Sequence, residues 1–295
     1  MQFHFYLARR DVLCCIEGFV LKDMKEFLSK EDYEEPKCLL NMHPEITPIP
    51  VGRVIDKLDS YLNKKDYDSA ERHLQYWVSE ADTCHDMRGK LTVLNELIGL
   101  YRKTGKESEC LNVIMDALSL ADSMDIEKSV AYGTTLINAA TGYKAFGKAD
   151  DALPLYRKAR EIYESTLDSD DGRLGGLYNN MALTLTELEE FREAEELYNK
   201  AISVMEKREN GELEVAITCL NLADLACAES GLEDGATEIE KQLQKAEKLL
   251  YSESLPRDGY YAFVCEKCAP VFGYYGYFIT EQELNRRARE IYERA

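Results

Sequence analysis

Histidine is scarce in this chain: only four occur among 295 residues. His4, His43, His73 and His85 stand apart, in no metalloprotease-type pair and beside no nucleophile motif, so histidine catalysis is not expected. No glycine-rich phosphate loop and no strained nucleophile turn is present. Positive charge is also short. The 36 Lys and Arg face 55 Asp and Glu, a formal net charge of -19, which repels a phosphate backbone and disfavours anionic membrane surfaces. Neither nucleic acid nor a membrane is therefore an expected partner.

Long apolar runs are missing too. Val12 to Ile16 is closed off by Arg9, Arg10, Asp11 and Glu17, and no segment reads as a bilayer span or a secretory signal. The nine cysteines are odd in number and irregular in spacing, which points to reduced thiols in a cytosol. Cys265-x-x-Cys268 is the one metal-like spacing, but a closed zinc site needs four ligands and no second pair or nearby His completes it. Both cysteines read as core, as do Cys14 and Cys15. No cofactor is expected.

What the chain does have is self-similarity. Ala159-Arg160-Glu161-Ile162-Tyr163-Glu164 recurs unchanged as Ala288-Arg289-Glu290-Ile291-Tyr292-Glu293. Small residues fall at Ala70, Cys110, Ala152, Ala194 and Ala236, at steps of 40, 42, 42 and 42. Seven residues beyond three of these lie Ala117, Ala159 and Ala201, and three further Leu120, Ile162 and Val204. A step of 45 from Ala236 reaches Glu281, which puts Ala288 and Ile291 in register.

Each unit reads as two helices. Leu94, Leu97, Ile98 and Tyr101, or Leu136, Ala139, Ala140 and Tyr143, mark the first by their three- and four-residue spacing. Thr104-Gly105-Lys106, Phe146-Gly147-Lys148 and Leu188-Glu189-Glu190 supply the turns. The second helix carries the small residues, with Tyr156 and Tyr198 filling the space beside them. This predicts an all-α solenoid of antiparallel helix pairs, about six repeats and about twelve helices.

The small-residue, tyrosine, glycine and alanine pattern resembles the tetratricopeptide repeat family. Leu177-Tyr178-Asn179-Asn180-Met181-Ala182, followed by Ala194-Glu195 and Leu197-Tyr198, is similar to the repeats of kinesin light chains. The resemblance covers roughly residues 51–295 and implies a right-handed superhelix whose first helices line a concave groove. On that side of the first helices the chain offers Thr92, Asn95, Gly99, Arg102 and Lys103, then Thr134, Asn138, Thr141 and Lys144. Gly176, Asn179, Asn180 and Leu183 follow, then Thr218, Asn221 and Leu225. An asparagine side chain can both give and accept a hydrogen bond with a peptide unit. Arg102, Lys103 and Lys144 add positive charge in a negative protein, which suits an acidic peptide segment. The alternative use of the asparagines is to bridge neighbouring helices. The carboxylate clamp of chaperone-tail binders is not matched, because Ile55, Asp59, Thr134 and Asn138 stand at its positions.

The expected function is thus a non-enzymatic adaptor or scaffold. An intracellular receptor for a small signalling peptide is the alternative, and an enzyme built on a repeat scaffold is third. Residues 1–50 lack the repeat. A helix from about Asp11 to Leu28 and a linker marked by Pro36, Pro44, Pro48 and Pro50 are expected there, the helix capping the open end of the repeats at residues 51–295 or, as the alternative, lying in the groove as a regulatory segment. Near the other end, the aromatic run around Tyr260-Tyr261-Ala262-Phe263 and Phe272 to Phe278 is expected to pack the last repeat.

Overall fold

The computed structural model describes residues 48–294. The capping helix expected near residues 11–28, with Cys14, Cys15, His4 and His43, lies outside the described residues. Twelve α-helices and no strand occur among the described residues, and they fall into two compact units.

The first unit, as described, runs from residue 48 to Thr166 and holds six helices. They are α1 (Val51–Asn63), α2 (Tyr67–Thr83), α3 (Met87–Thr104), α4 (Glu107–Ser123), α5 (Val130–Ala145) and α6 (Ala149–Thr166). Consecutive helices pack as hairpins, α1 on α2, α3 on α4 and α5 on α6. Aspartate begins α3 and serine α5: Asp86 accepts from the Gly89 amide and Ser129 from the Tyr132 amide, satisfying donors that the helix itself leaves open. Gly105 and Gly147 turn the chain at φ 70° and 71°, the left-handed conformation that costs glycine nothing. Ala117, Ala152, Ala159 and Tyr156 are fully buried, as their phase requires. Gly142 shows why small residues recur: a β-carbon there would stand 2.7 Å from Ile114 Cδ1.

The second unit holds α7 (Gly172–Glu187), α8 (Phe191–Met205), α9 (Glu212–Asp234), α10 (Ala236–Leu250), α11 (Gly259–Tyr274) and α12 (Phe278–Tyr292). The hairpins are α7 on α8, α9 on α10 and α11 on α12, with α8 and α11 also against α9. Glu189 makes its turn at φ 63°, where the α11–α12 hairpin uses Gly276 at φ 83°. The expected aromatic packing holds at Tyr261 and Phe272, both fully buried, while Tyr274 and Phe278 are exposed.

Two expectations are corrected here. Ala236, read as a repeat position, is exposed at the first residue of α10. Ile239 and Ala246 are buried instead, 45 residues after Ala194 and Ala201, and Leu243 takes the place of Tyr198. Helix α9 explains the shift: it kinks at Gly231 (φ 79°, ψ 175°), and an extra helical turn to Gly235 precedes α10. The three added residues lie before the fifth second helix rather than after it, and Ala288 follows Ala246 by the usual 42.

The second correction concerns apolar runs. By length and composition α9 is apolar enough to cross a membrane, with mean hydropathy 1.3 over 18 of its residues. In the fold that stretch is 61% buried, because α9 contacts α7, α8, α10 and α11 and so needs apolar residues on most of its surface.

Candidate functional site

The polar residues of the first helices sort into two ladders, one in each unit. In the first unit Asn138 on α5 donates its Nδ2 to Asn95 Oδ1 on α3 at 3.0 Å. Asn95 in turn donates to Thr135 Oγ1 at 3.1 Å and to the Leu91 carbonyl at 3.0 Å. Asn95 is buried and Asn138 half-buried. The threonines bond backward along their own helices: Thr92 to the Arg88 carbonyl, Thr134 to Val130 and Thr141 to Ile137. Thr134 also meets Tyr163 Oη at 2.7 Å, and Thr141 meets Tyr156 Oη at 2.9 Å. These contacts tie α5 to α6.

Positive charge stands at the ends of this ladder. Arg102 and Lys103 lie in the last turn of α3 and Lys144 in the last turn of α5, where cations complement the partial negative charge of a helix C-terminus. Lys103 is exposed, with its Nζ 5.9 Å from the Tyr67 ring centre, and Arg102 and Lys144 are half-buried.

The second ladder surrounds a cleft. Asn221 on α9 donates its Nδ2 to Asn179 Oδ1 on α7 at 3.0 Å, and Thr218 Oγ1 donates to the same oxygen at 3.2 Å. Asn179, Thr218 and Asn221 are all buried. Asn179 Nδ2 is buried and has no hydrogen-bond acceptor. Asn180 is buried as well, its carbonyl accepting from Thr184 Oγ1.

Asn179 and Thr218 line the cleft with Gly175, Gly176 and Ile217. Met205, Glu214 and Tyr260 complete it, and it has room for about 20 Å³. Tyr260 Oη donates to Glu214 Oε1 at 2.9 Å, so one wall carries a carboxylate held in place. Gly175 admits Met205: a β-carbon there would come within 2.4 Å of the Met205 methyl.

Five of these lining residues escaped the sequence reading, among them Ile217, the neighbour of Thr218. Glu214 stands one helical turn before Thr218 on the same face, a signal that four-residue spacing could have given. Gly175 adjoins Gly176. Tyr260 was grouped with the aromatic core. Met205 comes from a second helix, for which the first-helix pattern gives no clue.

Other chemistry-bearing side chains sit within the packing. Cys265 and Cys268 are buried free thiols, and burial pushes the Cys265 thiol up. Among the described residues no group of three or more His, Cys, Asp or Glu is gathered to hold a metal ion. His73 spends its Nε2 on the Val54 carbonyl at 3.0 Å, beside the rings of Tyr61 and Trp77.

Comparison with known proteins agrees with this architecture. The family model described as tetratricopeptide repeat matches residues 133–171 and 175–208. BtubC (BKLC) from P. vanneervenii has a similar structure, with TM-score 0.54 and 18% identity over 83% of this chain and 92% of that one. A putative kinesin light chain with nearly identical TPR-like repeats from Podosopora anserina gives 0.50 and 16%, over 70% and 96%. A Rap protein complexed with competence and sporulation factor gives 0.50 and 14%, over 99% and 96%. None of the curated proteins matches this sequence.

Proposed function

Because the chain is a tetratricopeptide repeat protein, we propose that it is a non-enzymatic adaptor or scaffold holding an extended peptide segment of a partner against its first helices. The tetratricopeptide fold supports an interaction scaffold. The observation that carries the peptide reading is the row of polar first-helix residues that meets a cleft at Asn179 and Thr218.

A segment bound by the first unit is acidic. Exposed Lys103, with Arg102 and Lys144 at the neighbouring helix ends, attracts carboxylates in a protein otherwise repelling them. The binder works in a cytosol, a reading supported by the six cysteines of the described residues, all free thiols. A receptor for a small signalling peptide is the second reading, favoured by likeness to a structure that holds competence and sporulation factor.

The test starts from the partner. It is captured from native lysate, its bound segment is mapped by protection from proteolysis, and the synthetic segment is titrated calorimetrically. Lys103→Glu with Lys144→Glu should weaken an acidic segment by at least about tenfold, since attraction at two positions becomes repulsion. Unchanged affinity would move the binding surface elsewhere, with the exposed Tyr274 the next place to probe.

A further inference from the structure

We infer that the turn joining α11 to α12, with its counterpart between α9 and α10, is a docking surface for a basic segment of a protein partner, one that carries a large apolar side chain between lysines or arginines. This surface is separate from the polar row of the first helices and takes a partner of the opposite charge.

Its apolar part comes from residues that the fold does not require. Phe278 and Ile279 open α12 and are 61% and 85% exposed. In the five earlier second helices the place of Ile279 is held by Asp68, Ser108, Asp150, Arg192 and Thr237, every one polar. Gly231 and Gly276 turn the chain at φ 79° and 83°, and Leu232 after the first of them is 54% exposed. A single exposed apolar residue is ordinary, whereas three large ones on the turns of two packed hairpins mark a contact surface.

The surface is already formed. Tyr275 Oη donates to Asp224 Oδ1 at 2.7 Å and Thr280 Oγ1 to Glu247 Oε1 at 2.5 Å, which tie the turn to α9 and the start of α12 to α10. The ring of Tyr277 lies 6.1 Å from that of buried Phe272. A partner therefore meets fixed side chains and loses little free energy to ordering them.

Charge selects the partner. The Glu281 carboxylate lies over Gly273, where a β-carbon would come within 2.5 Å of it, and Glu233 and Asp234 follow Leu232 directly. Burial, then the Glu240 and Glu247 carboxylates, push the Tyr277 phenol up, so these acids face the same turn. No Lys or Arg occurs from Glu209 to Glu240 or from Cys268 to Asn285. A second copy of the chain would bring the same acids to the contact and be repelled, and an acidic segment would fare no better. Lysine or arginine beside an apolar anchor satisfies both parts of the surface.

The experiment uses the full chain with ¹³C-labelled isoleucine methyl groups and follows the assigned Ile279 resonance at physiological salt. Three blocked hexapeptides are titrated: Lys-Arg-Leu-Leu-Arg-Lys, the same with serine for leucine, and the same with glutamate for every basic residue. The first should shift Ile279 in a saturable way, and the other two should bind at least about tenfold more weakly. Phe278→Ser with Ile279→Ser, at exposed positions, should melt as the parent does and lose that preference. Glu233→Gln with Glu281→Gln should weaken the basic leucine peptide several-fold and make its binding less sensitive to salt. Equal binding of the serine peptide would overturn the inference in favour of charge alone, and equal binding of the glutamate peptide would remove the charge selection. Undiminished binding by the double serine variant would place the contact elsewhere. Self-association of the parent without peptide, abolished in that variant, would make a second copy the occupant and overturn the inference as well.

Discussion

Asn221 donates its Nδ2 to Asn179 Oδ1 at 3.0 Å, joining α9 to α7 across 42 residues of sequence. Asn138 makes the same bond to Asn95 across 43. A side chain used this way serves the repeat packing as well as any ligand, and the two duties can be separated. Asn179→Ala removes the one acceptor of Asn221 Nδ2 and a partner of Thr218 Oγ1, and should cost about 1–3 kcal/mol in urea denaturation. Asn179→Asp keeps the acceptors and should recover much of that loss. An unchanged midpoint in the alanine variant would remove the bridging role.

The register of the fifth repeat gives a second prediction. Ala246 is fully buried where α10 meets α9, so Ala246→Leu should overpack and destabilise by about 1–3 kcal/mol. Ala236→Leu, at an exposed helix start, should stay within about 0.5 kcal/mol of the parent. The sequence pattern favours Ala236, so equal destabilisation of both would return the repeat to a uniform 42-residue step.

The contrast shows what was legible in the chain and what was not. Helix pairs, turns and the small-residue seam follow from local spacing, and Ala152, Ala159, Ala194 and Ala201 are all fully buried where that spacing puts them. The insertion at Gly231 was hidden because an alanine happens to stand at the 42-residue step while isoleucine occupies the true position. The site was half legible. Periodicity assigned Asn179 and Thr218 to one face. Their mutual bond depends on the relative phase of two helices 39 residues apart, which no local pattern reports. Met205 reaches the cleft from outside the face that was read.

Thiol reactivity checks the packing in both units. Burial pushes the thiols of Cys110 and Cys219 up to about 11, leaving little thiolate at neutral pH. Iodoacetamide at mildly alkaline pH, followed by peptide mass mapping, should label half-buried Cys84 and Cys227 first. Cys110 and Cys219 should react only once denaturant is added. Equal rates for Cys84 and Cys110 would mean that the α3–α4 hairpin opens readily.

The last helix carries the pH dependence. Hydrogen bonds from Arg286 and then Arg287 hold the Glu283 carboxyl at about 2, below its ordinary 4.5. Arg287 also donates to Tyr261 Oη at 2.9 Å and lies over the Tyr251 ring, so Glu283 helps seat α12 on α11. A carboxyl lowered by folding adds stability that is present above the ordinary value and is lost as the pH falls through the lowered one. The melting temperature should therefore fall between pH 4.5 and about 2, and Glu283→Gln should lose part of that slope while melting lower at pH 7. Because these groups are close to solvent, salt should weaken the effect. A Glu283→Gln variant with the parent's full acid slope would place the titrating carboxylates elsewhere. The same variant melting like the parent at pH 7 would mean that α12 is seated by its buried Leu284 and Ala288 alone.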